Sequence, residues 1–178
     1  MILSDKEIMD LDCIQPFSAN QVNPASYDML LGNEFISFGV ASIGSNIIID
    51  PRGGIPDELQ RKHTQDEYIL LPGVFILGVT ADWISLPDNI VARIEGKSSL
   101  GRLGLAVHIT AGYIDPGFQG HITLELANFN TNPILLFAGM RICQLQFSKM
   151  SQSAIKPYEG KYQNAPGVQS SRVERDYK

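Results

Sequence analysis

The chain has 178 residues, a mass of 19.6 kDa and 44% hydrophobic residues, enough for one domain with a real core and too apolar for a disordered polymer. Fourteen basic against nineteen acidic residues leave a formal charge of −5, and the absence of a basic block argues against a broad cationic face for nucleic acid. No apolar run approaches the roughly 20 residues of a membrane span, and Met1-Ile-Leu-Ser-Asp-Lys-Glu7 lacks the basic and apolar regions of a secretory signal, so the expectation is a single cytoplasmic domain over 1–178.

Ser4 followed by Glu7 is a capping-box pattern and predicts a short N-terminal helix from Asp5 to Asp10. The polar, Pro/Gly-rich segment Asp50 to His63 reads as an excursion between strands. Beyond it, short β-branched or aromatic runs predict strands at Glu67–Pro72, Val74–Thr80, Ile90–Ile94, Leu105–Ile109, His121–Asn128, Pro133–Phe137 and Ile142–Phe147. Turn signals at Pro72-Gly73, Pro87-Asp-Asn89, Pro116-Gly117 and Ala138-Gly139 punctuate them. That rhythm points to an all-β sandwich, barrel or jelly roll with few helices. Cys13 and Cys143 form no C-x-x-C pair and read as reduced structural thiols. Residues 160–178 carry few apolar side chains and are expected to be a mobile tail in the absence of a ligand or partner.

Candidate chemistry is concentrated between Glu95 and Glu125. Glu95-Gly-Lys-Ser-Ser-Leu-Gly-Arg-Leu-Gly104 reads as a glycine-punctuated turn, with Gly96 and Gly101 free to adopt positive φ and Ser98 and Ser99 set between Lys97 and Arg102. Hydroxyls, exposed N–H groups and paired cations suit an oligophosphate, although an ordinary solvated loop has the same composition. In His121-Ile-Thr-Leu-Glu-Leu126 the apolar residues alternate, placing His121, Thr123 and Glu125 on the opposite face. Glu125 is either a solvated strand residue or a carboxylate partly withdrawn from water and suited to general-base work. His108 reads as a ligand group or a satisfied histidine, and Asp115 as a turn residue or an acceptor for a hydroxyl or water. A zinc-activated water would need a His/Cys/Cys cage with an H-x-E…P-C-x-x-C pattern, which the chain lacks.

Taken together, Glu95 to Leu105, Val107-His-Ile-Thr-Ala111, Ile114-Asp-Pro-Gly117 and Gly120-His-Ile-Thr-Leu-Glu125 resemble the dCTP deaminase family, the zinc-free branch of the trimeric dUTPase-like superfamily. Ile2 to Ile8, Asn23-Pro-Ala-Ser-Tyr-Asp28, Leu86-Pro-Asp88 and Lys161-Tyr162 extend the likeness along most of the chain. The resemblance implies a distorted β jelly roll assembled as a homotrimer with active sites at subunit interfaces. It implies deamination of dCTP to dUTP and ammonia, with Glu125 as the base that activates water and with Ser98 and Arg102 positioning that water. Backbone groups near Ile109 and Ala111, with His108 beside them, would read the pyrimidine, and Asp115 would hold the deoxyribose 3′-hydroxyl. Lys97, where many members carry Arg, would bind the triphosphate with Ser99, Tyr158 and Lys161. Mg²⁺ would arrive with the nucleotide, and dTTP is implied as an inhibitor. Ala111-Gly-Tyr-Ile-Asp-Pro-Gly-Phe118 also resembles members that continue to dUMP and pyrophosphate, which would make Asp115 a diphosphatase base. Strictly deaminating members often carry a bulkier residue than Gly112. Ala165 departs from the glutamine common at its position. A pure dUTPase would have no need of Glu125, and a non-catalytic binding protein no use for Ser98, Arg102 and Glu125 together.

Overall fold

The computed structural model describes residues 1–39 and 47–178. Its N-terminal helix α1 (Asp5–Met9) starts from a complete capping box: the Ser4 N–H donates to Glu7 Oε2 at 2.9 Å and the Glu7 N–H to Ser4 Oγ at 3.5 Å. Asp10, expected inside the helix, is its C-cap. The strands follow as β1 (Ile14–Gln15), β2 (Val22–Asn23), β3 (Ser26–Leu30), β4 (Glu34–Phe38), β5 (Gln60–Thr64), β6 (Glu67–Leu70), β7 (Phe75–Ser85), β8 (Ile90–Gly96), β9 (Leu105–Ala106), β10 (Tyr113–Ile114), β11 (Gln119–Asn128), β12 (Ile134–Phe137) and β13 (Arg141–Lys149), with a one-turn helix α2 (Ser98–Gly101) after β8. One antiparallel sheet runs β5-β4-β7-β11-β9 with β1 on β7, a second runs β10-β8-β13-β3-β2, and β12 pairs with β6. This is the all-β jelly-roll architecture expected.

Both large sheets turn apolar side chains into one core. Tyr27 and Met29 from β3, Ile94 from β8 and Leu145 and Phe147 from β13 meet Phe35, Ile76, Ile84, Leu124 and Leu126 from the other sheet, all in one buried cluster. Each such residue contributes about 1.5–3 kcal/mol of transfer free energy. Gly78 lets β7 and β11 approach closely, because a Cβ there would lie 2.7 Å from Leu126 Cδ1. The β7–β11 register shifts between His121 and Thr123, and the Thr80 hydroxyl takes up the Ile122 N–H at 2.9 Å. A side chain thus replaces the ladder bond that the irregularity removes.

Several elements differ from the sequence pattern. The expected strand Leu105–Ile109 stops at Ala106, because the N–H groups of Ile109 and Thr110 are drawn off by Glu125 instead of a neighbouring strand. β5 begins within the segment read as an excursion and ends one residue beyond it; it is a polar edge strand paired through its length with β4. Within residues 160–178 the chain meets β11 at Ala165: Gly120 and Ala165 form a bridge, and the His121 N–H donates to Ala165 O at 3.0 Å. Val168 is buried with Ile36, Leu77 and Val79 on the outer face of the first sheet. No helix among the described residues is long and apolar enough to cross a membrane.

Candidate active site

The alternation of β11 sets the site. Ile122, Leu124 and Leu126 are buried toward the core, so His121, Thr123 and Glu125 point to the outer face and are half-buried there. A cleft of about 390 Å³ opens on that face. Its floor is Leu77, Thr123 and Glu125; Asp115, Phe118 and Tyr158 form one wall, and Tyr162, Gln169 and Ser170 of the folded-back C-terminal segment form the other. The Phe118 and Tyr158 rings lie 5.7 Å apart and tilted. The segment is stitched down by Gln169 N–H to Thr123 Oγ1 at 3.0 Å, and Arg172 N–H donates to the Tyr162 hydroxyl at 3.0 Å.

Glu125 Oε2 accepts the Ile109 N–H at 2.6 Å and the Thr110 N–H at 3.1 Å. Two main-chain donors thereby fix the carboxylate and, reciprocally, the loop that joins β9 to β10. The Ile109 N–H is occupied in this arrangement. Behind the loop, His108 Nδ1 is buried without a hydrogen-bond partner among the described residues. Its ring lies against Gly112, where a Cβ would come within 3.2 Å of His108 Cε1 and of the Ile94 carbonyl oxygen. His121 donates through Nδ1 to Thr80 O at 3.0 Å and meets Trp83 edge-on.

Of the residues singled out from sequence, Glu125, Asp115, Ala111 and Tyr158 line this cleft, with Ile109 at its edge through Glu125. Lys97, Ser98, Ser99 and Arg102 do not line it. Ser98, Ser99 and Arg102 are exposed on and beside α2, a helical turn where the glycine spacing suggested a looser one. Positive φ falls at neither Gly96 nor Gly101 but at Gly104, φ 83°, where a Cβ would lie 2.8 Å from the Asn130 nitrogen. Lys97 is paired with the buried Asp28 at 2.6 Å. Lys161 is paired with Asp176 at 2.6 Å, and that contact raises the affinity of its amine for the proton. Among the described residues, no Lys or Arg lines the cleft. Sequence reasoning gave no site role to Tyr162 and Gln169, because nothing local marks the return of the C-terminal segment; Phe118, Tyr162 and Asp28 were visible only as parts of motifs. No three of His, Cys, Asp and Glu converge among the described residues.

The fold is a jelly roll with a cleft on the outer face of one sheet, lined by a strand carboxylate held by main-chain donors, a turn aspartate and two aromatic rings. The chain belongs to the dCTP deaminase-like family, whose model matches residues 2–150. It is 45% identical over 191 aligned positions to the dUMP-forming dCTP deaminase of Dictyoglomus thermophilum, covering 99% of this chain and 97% of that one. It is 41% identical to the dCTP deaminase of Haloarcula marismortui, covering 99% and 96%. The crystal structure of 2′-deoxycytidine 5′-triphosphate deaminase from Agrobacterium tumefaciens superposes with a TM-score of 0.63 at 25% identity, over 82% of this chain and 47% of that one.

Proposed function

We propose that the chain deaminates dCTP hydrolytically and carries the product on to dUMP and pyrophosphate. The observation that carries the reading is Glu125, a carboxylate fixed by two N–H donors on the floor of a cleft of about 390 Å³. Glu125 takes a proton from the water that attacks C4 of cytosine and passes it to the departing amine, so that water and dCTP leave as dUTP and ammonia. A second water then cleaves between the α- and β-phosphates, with Asp115 as its base. Of the two products left open by the sequence, dUMP is favoured by the relatives: the Dictyoglomus thermophilum enzyme, 45% identical, carries dUMP-forming in its name.

Ser98 and Arg102 complete the site from a neighbouring copy in a homotrimer. Two observations support this: both are exposed and outside the chain's own cleft, and among the described residues that cleft has no cation of its own to meet a triphosphate. Ser99, Tyr158 and Lys161 hold the phosphates with their magnesium, Lys161 exchanging Asp176 for phosphate oxygens. The mechanism needs no zinc.

Purified protein incubated with dCTP and Mg²⁺, followed by ion-exchange chromatography, decides between the outcomes. Equal yields of ammonia, dUMP and pyrophosphate, without free dUTP and unchanged by a zinc chelator, are expected. Accumulating dUTP overturns the coupled reaction, and absence of ammonia overturns the whole reading.

A further inference from the structure

Ser98 and Arg102 are not fixed from the front. Their side chains make no hydrogen bond among the described residues, and α2 is a single turn. The helix is instead held from behind. Lys97, the residue between β8 and α2, sends its ammonium to Asp28 Oδ1 at 2.6 Å, and its carbonyl accepts the Gly101 N–H at 2.9 Å. Asp28 is 1% exposed and sits on β3, two strands from β8 across β13, so the pair spans about 10 Å of sheet.

The carboxylate is satisfied on every side. Asn23 Nδ2 donates to Oδ1 at 3.0 Å, and Arg141 Nη1 donates to Oδ2 at 3.2 Å. Beside it, Ser26 Oγ donates to Gln144 Oε1 at 2.9 Å, and Gln144 Nε2 reaches the Gly96 carbonyl at 3.4 Å. A buried carboxylate is retained only when its partners are well placed, and two of the surrounding groups, Lys97 and Gln144, tie this one to the joint at residues 96–97. We infer that Asp28 is a positioning residue for the deamination site, acting through Lys97 to fix the direction in which Ser98 and Arg102 leave β8. The inference rests on the reading of Ser98 and Arg102 as site residues and gives Lys97 a supporting role in place of a phosphate contact.

A double-mutant cycle tests it. Asp28→Asn and Lys97→Met should each lower kcat for dCTP by about 10²-fold while KM changes little, because small misplacements of a catalytic group act on the chemical step. The double variant should be no worse than the poorer single one. Lys97→Met leaves Asp28 paired with Arg141, so it carries the test if Asp28→Asn does not fold. Arg141→Gln, which touches Asp28 but not α2, should keep kcat near the parent value. Amide exchange read by mass spectrometry should accelerate over 97–104 in Asp28→Asn and Lys97→Met with β11 unchanged. Additive effects, unchanged exchange, or a rise in KM for dCTP but not dCMP at constant kcat would overturn the inference. If the parent protein releases no ammonia from dCTP, the assigned reaction fails, and the exchange comparison decides the coupling alone.

Discussion

Replacing Glu125 by Gln removes a charge while leaving an acceptor of the same shape. The substituted glutamine can turn its amide oxygen toward the Ile109 and Thr110 N–H groups, which lie 2.6 and 3.1 Å from the native carboxylate. Each bond then falls from charge-assisted to neutral, a loss of about 1 kcal/mol, or about 2 kcal/mol for the pair. The site is open to water, so about half of that survives screening. A deficit of about 1 kcal/mol lowers the population of the ordered loop about fivefold. Removal of a general base costs about 10²–10⁴ in rate. Glu125→Gln should therefore lose about 10²–10⁴ in kcat for ammonia release and weaken dCTP binding only about fivefold. Ammonia can be followed by a coupled spectrophotometric assay, and affinity by titration calorimetry with dCTP, which this variant leaves intact during the measurement. Retention of more than about a tenth of kcat would refute the base assignment. A loss of binding approaching about a thousandfold, with the chemistry preserved, would show that the carboxylate serves the loop alone.

Three further outcomes follow from the packing. Gly78→Ala places a Cβ 2.7 Å from Leu126 Cδ1 and 3.5 Å from Leu31 Cδ1, so it should destabilise by about 1–3 kcal/mol and lower the melting temperature by about 2–10 °C; an unchanged melting curve contradicts the close packing. Burial pushes the Asp82 carboxyl up from its ordinary 3.8, against the opposing Leu30 N–H. The folded state then binds the proton more tightly, so Asp82 contributes most below its unfolded value, and that contribution is lost as pH rises through the folded one. Asp82→Asn should raise the urea midpoint at neutral pH, with the gain shrinking on acidification; a gain independent of pH argues against it. Burial also pushes the Cys13 and Cys143 thiols up to about 12, so neither should react with a thiol reagent at mildly alkaline pH until the protein is unfolded. Rapid labelling of the folded protein would show that a thiol is accessible.

The sequence made β11 legible because one side of the strand is core and the other is not. Ile122, Leu124 and Leu126 carry the period of two, and Glu125 stands out against it. The N-terminal cap was equally local: Ser4 and Glu7 satisfy one another within a single turn. What depended on distant partners was not visible. β3 escaped notice because Asp28 interrupts its apolar pattern, and its burial makes sense only beside Lys97, which precedes α2, and Arg141 on β13. The strand expected through Ile109 ended early because a carboxylate sixteen residues away captures its N–H. Gly96 and Gly101 looked like turn residues, yet the left-handed position is Gly104, set by the approach of Asn130. The far wall of the cleft combined both difficulties, since residues 160–178 pack through a main-chain bridge at Ala165 and through the buried Ala165 and Val168.

That wall has a consequence for biosynthesis. The described strands all leave the ribosome before residues 160–178 do, so both sheets can close on their shared core while the floor around Glu125 is still open to solvent. A stop codon between Met150 and Tyr162 would yield a folded β-body whose cleft has lost Tyr162, Gln169 and Ser170. Such a product would keep the shared core between the sheets and yet lack one wall of the cleft. Translational fidelity over this short stretch therefore bears on activity far more than on abundance.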